Sequence, residues 1–336
     1  MRKTVSAALM CLLLCACSPV PASQPQKAVF FAMDTVMDCT IYGEQELLND
    51  VQSMVTALEA VVSVTDEVSA VSIINRTGQG TLSGSAQILM DEALTLCQRT
   101  EGALDISIYP VVRSWGFTTG EYHVPTDSEL QALLPNVDYT KIQYDVHSGA
   151  VAIPTDMQID LGSVAKGFIG REAAAYLRKH GVSSALLNLG GNVQTVGSKP
   201  DGSPWKIAVK NPNSSEPMMV LSVRNQAVVT SGGYERYFEE NRHTYWHIMN
   251  PKTGSPAESG LLSVTVVGED GLVCDGLSTA LFVMGLEKAA ALWRASEDFE
   301  AIFVTDTGEV YLTEGLKEQF ALTEDYRDTS VSVIQR

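Results

Sequence analysis

The spacing of apolar residues predicts several helices separated by groups of strands. Residues 44–62 and 85–100 each place their apolar side chains near one helical face, so both segments are predicted to form amphipathic helices. Residues 164–180 predict a helix that ends at Gly181, because glycine readily adopts the left-handed conformation of a helix C-terminus. Residues 277–295 predict one long helix, and residues 126–134 predict a short one with polar capping residues at its start.

Shorter apolar runs between turn residues predict strands. Two strands around a polar turn are expected within residues 29–42, and a hairpin is expected to join 141–145 to 150–153. The other predicted strands are 184–189, 205–210, 219–223, 227–230, 263–267, 302–305 and 310–312. Strands joined by tight turns, with helices between the groups, indicate an α+β fold in which antiparallel sheets have helices packed on one face.

Composition supports one large folded unit with an acidic surface. Of 336 residues, 45% are hydrophobic and 19% are charged, which provides enough apolar material for a core and argues against extensive disorder. Acidic residues outnumber basic ones 40 to 23, for a net charge of −17. Such a surface repels phosphate backbones, so a nucleic-acid binder is not expected, although a local pocket could still hold a nucleotide.

The first residues have the pattern of a secretion signal. Arg2 and Lys3 precede an apolar run over residues 5–14, which is too short for a bilayer span of about 20 residues. The run ends in Leu14-Cys15-Ala16-Cys17, which resembles a bacterial lipobox. We therefore expect a lipoprotein signal peptide at 1–16, lipid such as palmitate on Cys17, and a flexible tether at 17–27 rich in Pro, Ser and Gln.

These signals predict where the mature protein lies. The folded domain is expected over residues 28–325, on the extracytoplasmic face of a bacterial cell membrane, held there by its N-terminal lipid. Loss of Arg2 and Lys3 leaves 21 basic against 40 acidic residues, a net charge of −19. The alternative is an ordinary cleaved signal that leaves no lipid.

The remaining cysteines, Cys39, Cys97 and Cys274, do not have the spacing of a metal knuckle or a redox pair. Isolated cysteines in apolar runs usually pack as small core residues, so we expect no structural disulfide. The sequence also lacks HExxH, GxSxG and GxGxxG motifs, which argues against zinc, a hydrolase elbow and a Rossmann nucleotide site.

A candidate phosphate site lies at 159–167, where Ile159-Asp160-Leu161-Gly162-Ser163-Val164-Ala165-Lys166-Gly167 joins a short apolar stretch to a helix start. Free N–H groups and the positive end of the helix dipole, together with Lys166, suit a phosphate. The alternative interpretation is a well-capped helix with a surface lysine. A second turn, Asn188-Leu189-Gly190-Gly191-Asn192, allows close backbone approach to a ligand but is equally typical of a plain turn.

Two further segments carry polar side chains suited to catalysis or metal binding. Arg236 can pair with phosphate, and His247 lies in an aromatic run where a histidine is either a base or a structural residue. Asp275 and Thr279 are four residues apart, so their oxygens can share one helix face and bind Mg²⁺. The alternative there is a helix N-cap with a buried threonine.

Taken in order, these blocks resemble the ApbE family of FAD:protein FMN transferases over residues 28–320. The matching blocks are Met33-Asp34-Thr35, Gly102-Ala103-Leu104-Asp105-Ile106-Ser107, Trp115-Gly116-Phe117, residues 160–167, 188–192, 230–232, 247–254 and 275–279. The sequence departs from the family at a few positions. Asp34 replaces Gly, Asn250 replaces the Asp before Pro251, Gly276 replaces Ala, and Thr65 stands where an aromatic residue is common.

The resemblance implies a role for each matched residue. Residues at the family's FAD-contacting positions are Met33, Thr65, Ala103, Leu104, Asp105, Asp160, Lys166 and Met249. Residues at its Mg²⁺-ligand positions are Ser163, through its backbone carbonyl, Asp275 and Thr279. His247 matches the histidine proposed as the base.

The implied reaction is Mg²⁺-dependent transfer of FMN from FAD to a Thr or Ser hydroxyl of an extracytoplasmic acceptor flavoprotein. A phosphoester forms and AMP is released. Family acceptors carry an Asp-x-x-Ser/Thr-Gly-Ala-Ser/Thr segment. Asp275-Gly276-Leu277-Ser278-Thr279-Ala280 does not match it, so self-modification is not expected. The alternatives are an Mg²⁺-dependent FAD pyrophosphatase and a non-catalytic flavin-binding lipoprotein; the metal and base candidates together argue against the latter.

Overall fold

A nine-stranded sheet forms the centre of the structure. The computed structural model describes residues 24–214 and 216–336, so the predicted signal peptide and Cys17 lie outside the described residues. The helices are α1 (Gln45–Val62), α2 (Ala70–Thr77), α3 (Ser85–Arg99), α4 (Tyr109–Ser114), α5 (Asp127–Leu133), α6 (Gly162–Lys179), α7 (Gly271–Met284) and α8 (Leu286–Arg294).

The strands alternate with these helices along the chain. They are β1 (Gln26–Ala32), β2 (Thr35–Ile41), β3 (Gln79–Thr81), β4 (Gln143–Tyr144), β5 (Ala150–Ala152), β6 (Ser184–Leu189), β7 (Asn192–Gly197), β8 (Trp205–Lys210), β9 (Pro217–Val223), β10 (Ala227–Gly232), β11 (Tyr237–Glu240), β12 (His243–Trp246), β13 (Leu261–Gly268), β14 (Phe299–Thr305), β15 (Val310–Thr313), β16 (Phe320–Leu322) and β17 (Val331–Ile334).

The large sheet has the order β1-β2-β6-β7-β10-β13-β14-β15-β17. Its pairs are antiparallel except for β15 and β17, which run parallel. Smaller sheets are β16-β9-β8, β3-β5-β4 and β11-β12. The predicted α+β class with antiparallel sheets is therefore confirmed.

The two faces of the large sheet are buried by different partners. Helices α1, α6, α7 and α8 pack on one face and bury two apolar cores, one toward β1 and β2 and the other toward β13 and β14. The small sheet β16-β9-β8 packs on the other face over a third core. Successive side chains of a strand point to opposite faces, so β7 contributes to cores on both sides of the sheet: Val196 faces the helices and Val193 faces the small sheet.

Most predicted helices and strands are confirmed within a few residues, but three predictions are wrong. The long helix predicted at 277–295 is two helices, because Gly285 has a φ of +76° and so interrupts the helix between Met284 and Leu286. Its first helix begins at Gly271 with Asp270 as N-cap, so Asp275 is not the capping residue. The domain also extends past both predicted limits, since β1 begins at Gln26, within the predicted tether, and β17 ends at Ile334.

Helices α6 and α7 cross at Gly167, where neither helix has room for a side chain. A Cβ at Gly167 would lie 2.1 Å from the Gly271 carbonyl oxygen and 2.5 Å from the Asp275 Cβ. The close approach of the two helices is therefore possible only with glycine at this position. The same contact brings the start of α6, with its candidate phosphate-binding residues, against the candidate metal residues of α7.

We predict that Gly167→Ala lowers the free energy of unfolding by about 1–3 kcal/mol, because the added methyl group forces α6 away from α7. Urea denaturation measures the change. Gly170→Ala is the matched control in the same helix, since its Cβ would meet Leu189 at an ordinary 3.4 Å. The control should be neutral or stabilising, because alanine favours helix. Equal stability of the two variants would contradict this account of the crossing.

The three cysteines outside the predicted signal segment are buried as free thiols in the apolar cores. Burial raises the pKa of Cys39 and of Cys97 to about 12, so both are protonated and unreactive at neutral pH. None of the helices within residues 24–214 and 216–336 is long and apolar enough to cross a bilayer.

Candidate active site

The candidate residues gather at one end of the large sheet. The β1–β2 turn lies beside the β6–β7 turn, because a Cβ on Gly190 would be only 2.3 Å from the Thr35 Cγ2. The C-terminal end of β10 reaches the same place, since Ser231 contacts Thr279 of α7. Sheet register thus brings together segments that are far apart in the sequence.

Asp160 and Lys166 frame the start of α6. The Asp160 Oδ1 accepts a hydrogen bond from the Gly162 N–H at 2.8 Å, and its own N–H donates to the Ile106 carbonyl at 2.8 Å. Burial raises the pKa of the Asp160 carboxyl, while Gly162 and the charges of Lys166 and Arg236 oppose this shift. The helix start therefore combines a carboxylate with the charges of two cations, Lys166 and Arg236.

Asp275 lies in the second turn of α7 and is 6% exposed. Its Oδ2 accepts a hydrogen bond from the Gly167 N–H at 2.8 Å. Burial raises the pKa of the Asp275 carboxyl, and the Lys166 charge is the largest opposing influence. In a regular helix the Gly167 N–H would bond the Ser163 carbonyl alone. That carbonyl has two lone pairs and so retains capacity for a further partner.

A chain of hydroxyl groups orients Thr279. Ser278 Oγ donates to the Asp275 carbonyl at 2.8 Å, so it accepts from the Ser231 Oγ at 2.7 Å. The single Ser231 proton is thereby used, and the 3.3 Å contact to Thr279 requires Thr279 to donate. The lone pairs of Thr279 remain available to a ligand.

Asn192 is a buried polar residue beside Asp275 that the sequence did not assign to a role. It is 2% exposed, and neither atom of its amide has a hydrogen-bond partner among the described residues. The amide is close enough to Asp275 to lower the pKa of that carboxyl, although no full hydrogen bond forms between them. An unpaired buried amide is costly, so it indicates that a ligand or water completes this site.

These groups fit a magnesium ion. The Ser163 carbonyl, the Asp275 carboxylate and the Thr279 hydroxyl are hard oxygen donors, which is the chemistry Mg²⁺ prefers alongside phosphate and water. The orphaned Asn192 amide lies next to the only carboxylate of this set. Within residues 24–214 and 216–336 there is no cluster of three or more His, Cys, Asp or Glu side chains suited to a metal. A magnesium ion here would therefore rest on one carboxylate and two neutral oxygens, with its remaining positions left to water or to phosphate of a substrate.

His247 is positioned by the main chain of Arg236. Its Nδ1 lies 3.2 Å from the Arg236 carbonyl oxygen, and because a carbonyl only accepts, Nδ1 carries the proton and Nε2 has a free lone pair. Burial is the main cause that lowers the pKa of His247 to about 4; the hydrogen bond to the Arg236 carbonyl opposes the shift, and the charges of Arg236 and Lys166 add to it. The ring packs edge-on against Phe117, at 6.3 Å between centroids.

The low pKa of His247 has a different cause from the one that its neighbour Asn250 suggests. A neutral amide stabilises an imidazolium ion less than a carboxylate does, so the replacement of the family's Asp by Asn250 predicts a His247 that is less basic than in relatives. The Asn250 Oδ1 instead accepts from the Lys252 N–H at 2.9 Å and so closes its own turn. Desolvation is the main cause of the lowered pKa of His247, and Asn250 does not contribute to it.

The predicted FAD-contacting residues differ in how accessible they are. Met33 lies in the β1–β2 turn with its N–H bonded to Glu59, and Thr65 is exposed in the loop after α1. Asp105 is buried and accepts hydrogen bonds from Ser107 and from the Tyr139 N–H. Leu104 and Met249 are buried in apolar clusters. Asp105 and Leu104 are thus buried residues that shape the loop next to Asp160. The accessible groups of this loop are Ala103 and the main chain.

Arg236, which the sequence named as a candidate partner for phosphate, and Tyr109, which it did not name, are further functional candidates. Arg236 pairs with Asp34 at 3.4 Å, and its charge also acts on Asp160 and His247. Burial raises the pKa of the Tyr109 hydroxyl, and the charge of the nearby Asp160 carboxylate adds to this shift. The Thr230–Arg236 turn contained a signal for Arg236, whereas nothing in the local sequence distinguished Tyr109.

Two cations lie among the carboxylates of the site. The charge of Lys166 acts on Asp160, Asp275 and His247, and that of Arg236 acts on Asp160 and His247. A protein with a net charge of −17 therefore presents two cations at this end of the sheet. Such a site suits a small anionic ligand with phosphate groups.

Comparisons with known proteins point to one family. A sequence model of the ApbE family matches residues 33–303. The chain is 30% identical over 291 residues to the FAD:protein FMN transferase of Treponema pallidum, covering 81% of this chain and 80% of that protein. It is also 30% identical over 309 residues to the FAD:protein FMN transferase of Vibrio cholerae, covering 88% of this chain and 92% of that protein.

Solved structures show the same fold. The crystal structure of the ApbE protein from Thermotoga maritima superposes with a TM-score of 0.83 at 28% identity, over 88% of this chain and 99% of that one. The flavin transferase ApbE from Vibrio cholerae superposes with a TM-score of 0.77 at 26% identity, over 88% and 99% of the two chains.

Proposed function

This chain belongs to the ApbE family and is an FAD:protein FMN transferase, and we propose that it transfers FMN to a Thr or Ser hydroxyl of an extracytoplasmic flavoprotein, with release of AMP. The observation that carries the proposal is the convergence of Lys166, Arg236, His247 and Asp275 at one end of the sheet. Cations for a pyrophosphate, a base and a metal-binding carboxylate are the groups that phosphoryl transfer requires.

The cations of the site hold the pyrophosphate of FAD. Lys166 supplies a point charge at the start of α6, and Arg236 supplies a guanidinium that can bond two phosphate oxygens. Asp34 forms an ion pair with the Arg236 guanidinium at 3.4 Å. This ion pair is exposed and weak, so phosphate can compete with it. Binding of FAD is thus expected to displace Asp34 from Arg236.

The metal-binding groups lie near Lys166, whose charge acts on Asp275. Ser163, Asp275 and Thr279 would hold Mg²⁺, which would neutralise phosphate charge and polarise the phosphorus next to the FMN half. Asp275 is fixed by the Gly167 N–H, and Thr279 is fixed by the Ser231 hydroxyl. Both side chains are therefore oriented before a substrate arrives, which lowers the entropy cost of binding.

His247 receives the proton of the acceptor hydroxyl. The hydroxyl oxygen forms a bond to the FMN-side phosphorus, the bond from that phosphorus to AMP breaks, and AMP leaves with the electron pair. Nε2 of His247 takes the proton, because Nδ1 is already bound to the Arg236 carbonyl. A free-enzyme pKa of about 4 is low for a base, but bound phosphates offset the nearby cations and raise it.

Product analysis tests the proposal against its alternatives. The purified protein is incubated with FAD, Mg²⁺ and a domain that carries an Asp-x-x-Ser/Thr-Gly-Ala-Ser/Thr segment. We expect one AMP for each FMN bound to the acceptor, by mass spectrometry and nucleotide chromatography. Free FMN with AMP, at a rate independent of acceptor, would instead identify a pyrophosphatase. Bound FAD with no products would identify a flavin-binding protein.

The proposal includes a lipid anchor at Cys17, which rests on the lipobox-like Leu14-Cys15-Ala16-Cys17. We predict that Cys17→Ser moves the protein from the membrane fraction to the soluble fraction of cells, because the acylated side chain is lost. Fractionation with a carbonate wash measures the distribution. Cys15→Ser is the control and should stay membrane-bound, since Cys15 leaves with the signal. Membrane retention of Cys17→Ser after the wash would contradict the anchor.

A further inference from the structure

The β1–β2 hairpin carries an exposed apolar surface that the flavin site does not use. Val29, Phe31 and Val36 are 68%, 70% and 59% exposed, three of the four most exposed large hydrophobic side chains among the described residues. Phe31 lies directly opposite Val36 in the strand register, and Val29 is two residues before Phe31 on the same face. We call these three side chains the hairpin patch. Their clustering indicates a binding surface, because scattered apolar residues need no explanation and clustered ones do.

This patch is the uncovered end of a sheet face that is buried elsewhere. The small sheet β16-β9-β8 covers this face of the large sheet as far as Leu186 on β6 and the adjacent Tyr42. Beyond them, β2 and β1 extend without a covering layer, so Val36, Phe31 and Val29 remain exposed. In the described part of the chain β1 pairs only with β2, so its outer edge also presents free N–H and C=O groups.

The patch adjoins the candidate active site through the turn of its own hairpin. Phe31 is three residues before Asp34, which pairs with Arg236 at 3.4 Å. The Arg236 carbonyl in turn lies 3.2 Å from Nδ1 of the proposed base His247. A protein seated on the hairpin would therefore need only a short extended segment to bring a hydroxyl to His247.

We propose that the hairpin patch and the open edge of β1 are the docking surface for the acceptor protein. This inference rests on the proposed function, since it names the seat of the protein whose hydroxyl receives FMN. An extended acceptor segment next to the modified residue pairs with the edge of β1, and its apolar side chains pack on Phe31, Val29 and Val36.

The chemistry of the hairpin favours a protein over a membrane. Burying β1 in lipid would leave its edge N–H and C=O groups without partners, whereas a paired peptide strand satisfies them. Asp38 lies opposite Val29 on the same exposed face, and Asp34 lies at the turn. Both carboxylates disfavour an anionic lipid surface. A second copy of this chain would cover the rim of the site that the acceptor must reach.

The test is a double variant, Phe31→Ser with Val36→Ser. Both side chains are mostly exposed, so the fold should tolerate the change. The probe is the purified acceptor domain with its Asp-x-x-Ser/Thr-Gly-Ala-Ser/Thr segment. We expect the KM for this domain to rise about tenfold or more, with kcat and the Kd for FAD unchanged, because only docking is weakened. Ile88→Ser is the matched control, since Ile88 is 50% exposed on α3, away from the hairpin.

Hydrogen exchange tests the strand pairing separately. Addition of the acceptor domain should slow exchange of amides in β1 but not in β17, the other edge of the same sheet. Unchanged β1 exchange would overturn the pairing. An unchanged KM would overturn the docking surface. Loss of binding to phosphatidylglycerol vesicles by the variant would then identify the patch as a membrane contact, and a change from dimer to monomer would identify it as a contact with a second copy. Failure of the proposed function can be told apart from failure of docking, because the wild-type protein would then transfer no FMN.

Discussion

Asp275→Asn should reduce FMN transfer roughly 10³-fold or more, because it removes the one carboxylate of the proposed metal site while keeping its shape. The wild-type Oδ2 accepts from the Gly167 N–H at 2.8 Å. In the variant the amide oxygen takes that hydrogen bond, so the NH₂ group faces the metal position and repels a cation. The fold is preserved, but the charge that binds Mg²⁺ is lost.

A readout besides activity separates metal binding from general damage. Mg²⁺ with FAD should raise the Tm of the wild-type protein and leave the Tm of Asp275→Asn nearly unchanged, because a ligand stabilises only the state that binds it. Thr279→Ala should retain weaker transfer with a higher Mg²⁺ requirement, since it loses a neutral oxygen.

Asp270→Asn is the control in the same helix. Asp270 caps α7 by accepting from the Leu272 N–H at 2.9 Å, and asparagine caps almost equally well. Transfer by this variant should remain near the wild-type rate. Full transfer by Asp275→Asn in the presence of excess chelator would remove the metal from the mechanism.

His247→Ala should slow FMN transfer roughly 10²–10⁴-fold and leave FAD binding nearly unchanged, because general-base assistance is lost while the cations remain. His247→Gln is a second variant that keeps a donor for the Arg236 carbonyl but has no basic nitrogen, and it should be as slow. His243→Ala, an exposed histidine of the same hairpin, is the control and should transfer normally. Single-turnover rates and FAD fluorescence titration measure the two effects.

The pH dependence follows from the lowered pKa of His247. The neutral imidazole is the active form, so kcat/KM should fall as the pH drops through about 4, the pKa of the free enzyme. In kcat the fall should occur at higher pH, because bound phosphates favour the imidazolium ion. His247→Ala should lose this acid limb. If the variant instead binds FAD poorly but turns over bound FAD normally, His247 is a binding residue and Asp160 is the next candidate for the base.

Local sequence predicted the helices and strands well where one periodicity dominates. Residues 44–62 gave α1, whose apolar side chains share one buried face, and residues 184–189 gave β6, a short apolar run that ends at a Gly-Gly turn. The break at Gly285 was missed, since α7 and α8 are both apolar on the buried side and only the backbone conformation separates them. The short strand β17 was missed because a run of four residues is too short to signal a strand, and parallel pairing with β15 decides its place.

The order of short motifs in the sequence was sufficient to identify the family and the residue types of its chemistry. Asp275, Thr279 and His247 were assigned from the sequence because motif spacing is a local property. Only the tertiary structure decided which groups share an environment. Gly167 lets α6 approach α7, so Asp275 meets the start of α6. Sheet register brings the β1–β2 turn to Arg236. The low pKa of His247, the unpaired amide of Asn192 and the exposure of Phe31 depend on burial by distant segments, which no local pattern encodes.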